Sequence, residues 1–214
     1  MPNEAQARKA RSIAILKNEG VPFIDHLPVI ETEAEAKRRT TEEVALRAIA
    51  LCIVAVKGEG LENEEVDALV KKYAIADAFS PKERKFIEAR EPSKQDRIQF
   101  TWRYECYWVM LWALGFVDEL SRPDKICDVP KAVSILHDLG REGFLKKAKL
   151  RPASEILDAA DLIYRYSWAT TEARVKNQEP PAGLDPGVVM ERDHALNWLV
   201  GYSDQEWDDV TTDT

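Results

Sequence analysis

The chain has 214 residues, of which 45% are hydrophobic and 32% charged, and its formal net charge at pH 7 is −8. This composition is typical of an ordinary globular protein and excludes a fibrous or disordered chain. The acidic balance argues against a general nucleic-acid binder, because such proteins usually present a basic face.

Cysteine usage and apolar runs bear on the compartment. Cys52, Cys106 and Cys127 are widely spaced, and no Cys-x-x-Cys pair for a metal or redox motif occurs. The N-terminus lacks the apolar region of a secretory signal. The longest apolar runs, 48–56 and 106–117, are shorter than the roughly 20 residues that cross a bilayer. We therefore expect a cytoplasmic, soluble protein with no membrane association.

The N-terminal region predicts a surface helix followed by an extended segment. Apolar residues recur at helical spacing over 3–18, and Gly20 follows as a stop signal. Pro22 and Pro28 disfavour a helix over 21–30, since the residue before a proline avoids the helical region. Little chemistry is expected from this segment.

A helix that is apolar on almost every side is predicted over 41–57. Thr40 followed by Glu43 forms a capping box at its start. Arg47 is the lone charge before the apolar run, so it needs a partner. Glu43, one turn away, is the favoured partner, and Glu105 is the alternative.

The second apolar helix is predicted over 93–115. Ser93 is a suitable N-cap, and Gly115 lies where a left-handed cap ends a helix. Glu105 falls inside its apolar face. A buried carboxylate of this kind predicts a basic partner, a shifted pKa, or both.

The remaining sequence predicts further helices and no strands, because neither alternating patterns nor repeats are found. The expected class is all-α, an irregular multi-helix bundle around the two buried apolar helices and forming a single domain over 1–214. Caps and apolar spacing place the other helices at 62–73, from Ser80 to before Pro92, from Asp128 to a stop at Gly140, from a Ser154 cap to about 177, and over 186–201.

The C-terminus ends in an acidic tail, 203–214, that contains Trp207. An aromatic side chain so near the end predicts that the tail docks on the body of the protein. Its aspartates are then candidate partners of Arg165 or Arg174. The alternative partner of Arg165 is Asp161, one turn earlier on the same helix.

Six stretches stand out as a set: 11–22, 27–28, 42–48, 111–115, 191–198 and 207–214. A string such as Glu-Arg-Asp-His-Ala-Leu-Asn-Trp, at 191–198, is improbable by accident. Together these stretches resemble an uncharacterised bacterial family catalogued as domain of unknown function 4272. The resemblance implies a single cytosolic domain and supplies no activity, cofactor or catalytic residue.

Charged residues on the last helix are the most interesting candidates for chemistry. Glu191 and Arg192 flank its apolar stripe rather than facing solvent. The favoured interpretation is a structural ion-pair network, with Glu105 bound to Arg192 or Arg47 bound to Glu191. Such networks contribute little net stability, because desolvation can cancel the Coulomb gain.

The alternative interpretation is a small polar pocket in which a glutamate acts as base and a basic group holds an anion. Its candidate polar cluster is Glu105, Glu191, Arg192, His194 and Arg47, and its candidate aromatic walls are Trp102, Trp112 and Trp198. Glu191 and His194 form a Glu-x-x-His pair, but a di-iron bundle needs a second such pair, and the sequence contains none. No metal and no cofactor are expected.

Two functions are consistent with these patterns. The favoured one is a non-enzymatic protein-interaction module that acts through a protein partner or self-association, because no nucleotide loop, nucleophile elbow or zincin motif occurs. The alternative is an enzyme or binder of a small anionic metabolite that uses Glu105, Glu191 and Arg192. Neither nucleic acid nor a membrane is expected as a partner.

Overall fold

The computed structural model describes residues 3–212, and within them it contains nine α-helices and no β-strand. The predicted all-α class is therefore confirmed. No helix in this part of the chain is both long and apolar enough to span a membrane. The helices are α1 (Glu4–Glu19), α2 (Thr41–Glu59), α3 (Asn63–Lys72), α4 (Pro81–Glu88), α5 (Lys94–Thr101), α6 (Arg103–Ala113), α7 (Val129–Lys147), α8 (Ala153–Val175) and α9 (Pro186–Val200).

The chain divides into two compact units. Unit 1 comprises Met1–Arg39, Ser121–Ile126 and Arg151–Thr214, and so contains α1, α8 and α9. Unit 2 comprises Thr40–Leu120 and Cys127–Leu150, and so contains α2 to α7. The single domain over 1–214 stays a prediction, and the last two residues of the predicted tail, Asp213 and Thr214, lie outside the described residues.

Unit 2 is organised around α2 and α6, whose residues are almost all buried. The capping box at Thr40 and Glu43 is present, so the predicted start of α2 is confirmed. Gly115, after α6, has a φ of 78°, the left-handed conformation that its position predicts. Both helices owe their stability to packing, because burial of apolar area is the main favourable term in folding.

The stretch 93–115, predicted as one helix, consists of two helices that meet at Trp102. The Thr101 hydroxyl donates to the Arg97 carbonyl at 2.8 Å, a bond that tends to bend helices. A Cβ at Gly58 of α2 would lie 2.7 Å from the Thr101 nitrogen, so the backbones approach closely there. Ile98 of α5 is 45% exposed.

The remaining boundaries are set by local signals. Asp128 caps α7, and Gly140, the predicted stop, interrupts the helix with a φ of 60° before helical backbone resumes. Ser154 does not cap α8, because the helix begins one residue earlier, directly after Pro152. Gly201 ends α9 with a φ of 71°, as its position predicts.

Unit 1 packs α8 against both α1 and α9. Between α1 and α2 the chain forms no helix or strand, and we call the part that belongs to unit 1, residues 21–39, the strap. The strap contributes few side chains to the core, with Val21 and Leu27 buried. Its position therefore depends on bonds made to its backbone.

Candidate functional site

Two arginines anchor the strap by its carbonyl groups. Arg8 of α1 donates to the Glu31 carbonyl at 2.9 Å, and Arg165 of α8 donates to the Pro28 carbonyl at 3.2 Å. Each arginine side chain is only 1% exposed. A buried charge is costly unless it is paired, so these arginines require acidic neighbours.

Acidic residues on the same helices meet that requirement. Arg165 bonds both carboxylate oxygens of Asp161, at 2.9 and 2.7 Å, and Asp161 is fully buried. This is the i, i+4 pair that the sequence offered as an alternative. Arg8 bonds Glu4 at 2.5 Å and Asp158 of α8 at 3.2 Å. These ion pairs thus hold the two guanidinium groups in position to bond the strap carbonyls.

A cleft of about 170 Å³ lies between the strap and the two helices α8 and α9. More than half of its lining residues are apolar, and the polar ones are a carboxylate, an amide and two tyrosines. The lining residues are Pro28, Val29, Ile30, Glu31, Ala160, Tyr164, Asn197, Val200 and Tyr202. The strap supplies one wall and the helices supply the opposite one.

The strap residues between the two anchors have free main-chain groups. No other described residue hydrogen-bonds the backbone N–H or C=O of Val29 or Ile30. The Val29 side chain is also 40% exposed. A short segment with unpaired N–H and C=O groups is a template for pairing with another chain. The cleft therefore combines a cavity with an open backbone edge.

Two carboxylates that accept hydrogen bonds from the strap backbone are held in their charged form. A side-chain bond from Arg8, and next a backbone bond from Glu33, lower the pKa of Glu4. Bonds from the backbone N–H and the hydroxyl of Thr32 lower the pKa of Glu35. Both carboxylates therefore stay ionised to lower pH than an ordinary glutamate, which preserves their bonds to the strap backbone.

The end of the strap meets the C-terminal segment beside α9. Arg39 lies 4.9 Å from the Trp198 ring and donates to the carbonyls of Trp198 and Gln205. The Trp207 ring packs edge-on against His194, at 4.5 Å between centroids, and against Trp198, at 5.6 Å. Two of the predicted pocket residues, Trp198 and His194, thus contact the C-terminal segment.

The candidate residues of unit 2 have their own local contacts. Arg47 donates to Glu83 of α4 at 2.6 Å and to the Ala78 carbonyl at 2.9 Å. Glu83 was not among the partners predicted for Arg47, because the two residues lie 36 positions apart in the sequence. Glu105 is 2% exposed, and its carboxylate accepts the backbone N–H of Cys127 at 2.5 Å.

The candidate residues of unit 1 lie on α9. Glu191 and Arg192 are buried, and Arg192 donates to the Ser121 carbonyl at 2.6 Å. The polar cluster predicted from sequence is therefore divided between the units, with Arg47 and Glu105 in unit 2 and the other members in unit 1. Of the predicted aromatic walls, Trp102 and Trp112 belong to unit 2 and Trp198 to unit 1.

The sequence did not predict the cleft, because the segment that forms one of its walls contains no motif associated with a binding site. The available signal was weak: Pro28 followed by two β-branched residues and then Glu31. Among the described residues, no group of three or more His, Cys, Asp or Glu side chains could hold a metal ion.

A family model described as "Domain of unknown function (DUF4272)" matches residues 8–210. The chain belongs to this family. The resemblance inferred from its motifs is therefore confirmed, and the match extends over both units of this DUF4272 protein. A search of curated proteins found no match, and neither did a search of solved structures.

Proposed function

We propose that this DUF4272 protein is a non-enzymatic protein-interaction module whose partner inserts a side chain into the cleft of unit 1. The supporting observation is the cleft beside exposed Val29 and an unpaired backbone segment. Small-molecule sites usually measure roughly 300–1,000 Å³, so a cleft of about 170 Å³ suits one side chain better than a metabolite. Interfaces commonly depend on a few such anchored side chains.

The alternative, a binder or enzyme for a small anionic metabolite, has its own supporting observation. Arg192 is 2% exposed and is adjacent to buried Glu191, so a basic group is held inside unit 1. Glu31 makes the cleft itself unsuitable for an anion. Native mass spectrometry of the purified protein tests this alternative, since a retained anion gives extra mass that disappears on denaturation.

Site-specific photocrosslinking in the native cells tests the interaction function. A benzophenone amino acid replaces Val29 in one variant and Ile15 of α1 in the other. Both side chains are 40% exposed apolar groups of unit 1, so they are matched in accessibility. We expect discrete protein adducts from position 29, and we expect the same adducts to be absent from position 15. Identical adducts from both positions, or none from position 29, would contradict the proposal.

A cleft-filling substitution shows whether those adducts depend on the cleft. Ala160→Leu adds three carbon atoms to a cleft wall, and we expect the position 29 adducts to fall at least fivefold. If this variant melts more than about 10 °C lower than the parent, Tyr164→Ala, which removes part of a wall, replaces it. Undiminished adducts from a folded cleft variant would show that the partner binds elsewhere.

A further inference from the structure

We infer that the partner of the cleft is an extended basic segment of another protein, which pairs with the main chain at Val29 and Ile30 and places a lysine or arginine beside Glu31. This inference rests on the proposed interaction function and specifies the chemistry of the partner. It combines the backbone of the strap, the charge of the cleft and the balance of charge in unit 1.

The two arginine anchors determine which main-chain groups of the strap remain open. Arg165 occupies the carbonyl of Pro28 and Arg8 occupies that of Glu31, so both flanking acceptors are already used. Pro28 also lacks an N–H group. The carbonyl groups left open between the anchors are therefore those of Val29 and Ile30, whose N–H groups also have no other protein partner in the described chain.

A backbone segment with open donors and acceptors can pair with an extended peptide. In an antiparallel pair of strands, every second residue makes two hydrogen bonds with the residue opposite, one through its N–H and one through its C=O. Peptide segments that bind by such pairing take affinity from the main chain and specificity from pockets for alternate side chains. Here the pocket is the cleft, which the same strap residues line.

The charge of the cleft indicates which side chain of the partner it accepts. Glu31 supplies the one charged group among the cleft-lining residues. Most of the net charge of −8 also belongs to unit 1. Hydrogen bonds from lysine or arginine to a carboxylate are among the stronger ones in proteins. A basic segment is therefore favoured by both the local and the overall charge.

The same charge disfavours a second copy of this chain as the occupant. Two copies that met through this cleft would bring two Glu31 side chains face to face, and each copy carries a net charge of −8. Like charges across an interface cost free energy and suppress wrong partners. The inference accordingly specifies a different protein with basic residues.

Selection from random peptides tests the charge. A phage-displayed library of nonapeptides is panned on the full chain, on Glu31→Lys, and on Glu33→Lys as a control, since Glu33 is an exposed strap residue that does not line the cleft. We expect the unmodified chain and Glu33→Lys to enrich a lysine or arginine next to an apolar residue. Glu31→Lys should enrich an acidic residue at that position and bind the original peptide at least tenfold more weakly.

Backbone methylation of the selected peptide tests the main-chain pairing. We expect methylation of amides on one side of the peptide to weaken binding at least tenfold, and methylation of alternate amides to change it less than threefold. Equal effects at every amide would overturn the pairing. A consensus without a basic residue, or the same consensus from Glu31→Lys, would overturn the charge assignment.

The outcomes separate this inference from the proposed function. Adducts from position 29 without an enriched basic peptide mean that a protein binds the cleft in another way, which overturns the inference alone. Absence of both adducts and enriched peptides overturns the inference and the interaction function together.

Discussion

The buried cations of unit 1 and unit 2 bond different kinds of partner. In unit 2, Arg47 and Lys57 serve regular elements: Arg47 pairs with Glu83 on α4, and Lys57 donates to the Ile87 and Ala89 carbonyls at the end of that helix. In unit 1, buried arginines extend beyond the helices to anchor irregular backbone. The buried arginines of unit 1 thus fix the position of the strap, whereas the buried cations of unit 2 connect its helices.

This difference bears on where function resides. Anchoring a loop by side chains leaves part of its backbone without partners, whereas a helix uses nearly all of its backbone groups internally. The free groups at Val29 and Ile30 are a consequence of the arrangement in unit 1. Binding sites are often found on such segments when rigid elements hold them.

The largest effect is expected when one partner of a buried ion pair in unit 1 is removed. Arg165→Met leaves Asp161 buried without its guanidinium, and we expect the free energy of unfolding to fall by about 3–5 kcal/mol. Urea denaturation measures this loss. The double variant Asp161→Leu, Arg165→Met should lose less than the single one, because no charge is left uncompensated. A double variant at least as unstable would show that the pair stabilises unit 1 directly.

A cavity in unit 2 tests the role of apolar packing there. Leu51 of α2 is fully buried, so Leu51→Ala should lower the free energy of unfolding by about 2–5 kcal/mol. Ile98→Ala, at an exposed position of α5, is the control and should change it by no more than about 0.5 kcal/mol. Similar losses for both variants would be inconsistent with a unit held together by its buried helices.

Alanine substitutions at two glycines of unit 1 test the contact between the strap and the end of α9. Gly20 and Gly201 both end helices, with φ values of 70° and 71°. A Cβ at Gly20 meets nothing within 4 Å, but at Gly201 it would lie 2.3 Å from the Lys37 carbonyl oxygen. Gly20→Ala should cost about 1–2 kcal/mol from backbone strain alone. Gly201→Ala should cost more, and equal melting temperatures for the two variants would mean that the strap moves away freely.

The smallest effect at neutral pH is expected for two buried tyrosines, one in each unit. Burial first, and then a hydrogen bond to a glutamate, raise the pKa of Tyr166 beside Glu19 and of Tyr104 beside Glu59. The neutral phenol is thus favoured in the folded state, and this stability is present below about pH 10 and lost as pH rises further. Tyr166→Phe and Tyr104→Phe should each reduce the alkaline decline in unfolding free energy. An unchanged slope would refute the assigned cause.

Local signals in the sequence were sufficient for much of the fold. Caps at Thr40, Ser80 and Asp128 marked helix starts, and Asp161 with Arg165 followed from i, i+4 spacing. These features depend on neighbours within a few residues, so a single chain reveals them.

Contacts between residues that are far apart in the sequence could not be predicted from such local signals. Arg8 and Asp158 are 150 residues apart, and Gly58 of α2 closely approaches Thr101, beside the break at Trp102. The cleft was missed for a related reason. Its anchors are backbone carbonyls, which every residue carries, so no residue type identifies them in advance.

Residue-resolved amide hydrogen exchange at Val29 and Ile30 tests the central claim most directly. In the free protein, both amides should exchange near the rate of an unprotected chain, while amides of α6 exchange far more slowly. Addition of the selected basic peptide should slow exchange at one of the two by at least tenfold. Strong protection in the free protein, or none at either amide when the peptide is bound, would contradict the account.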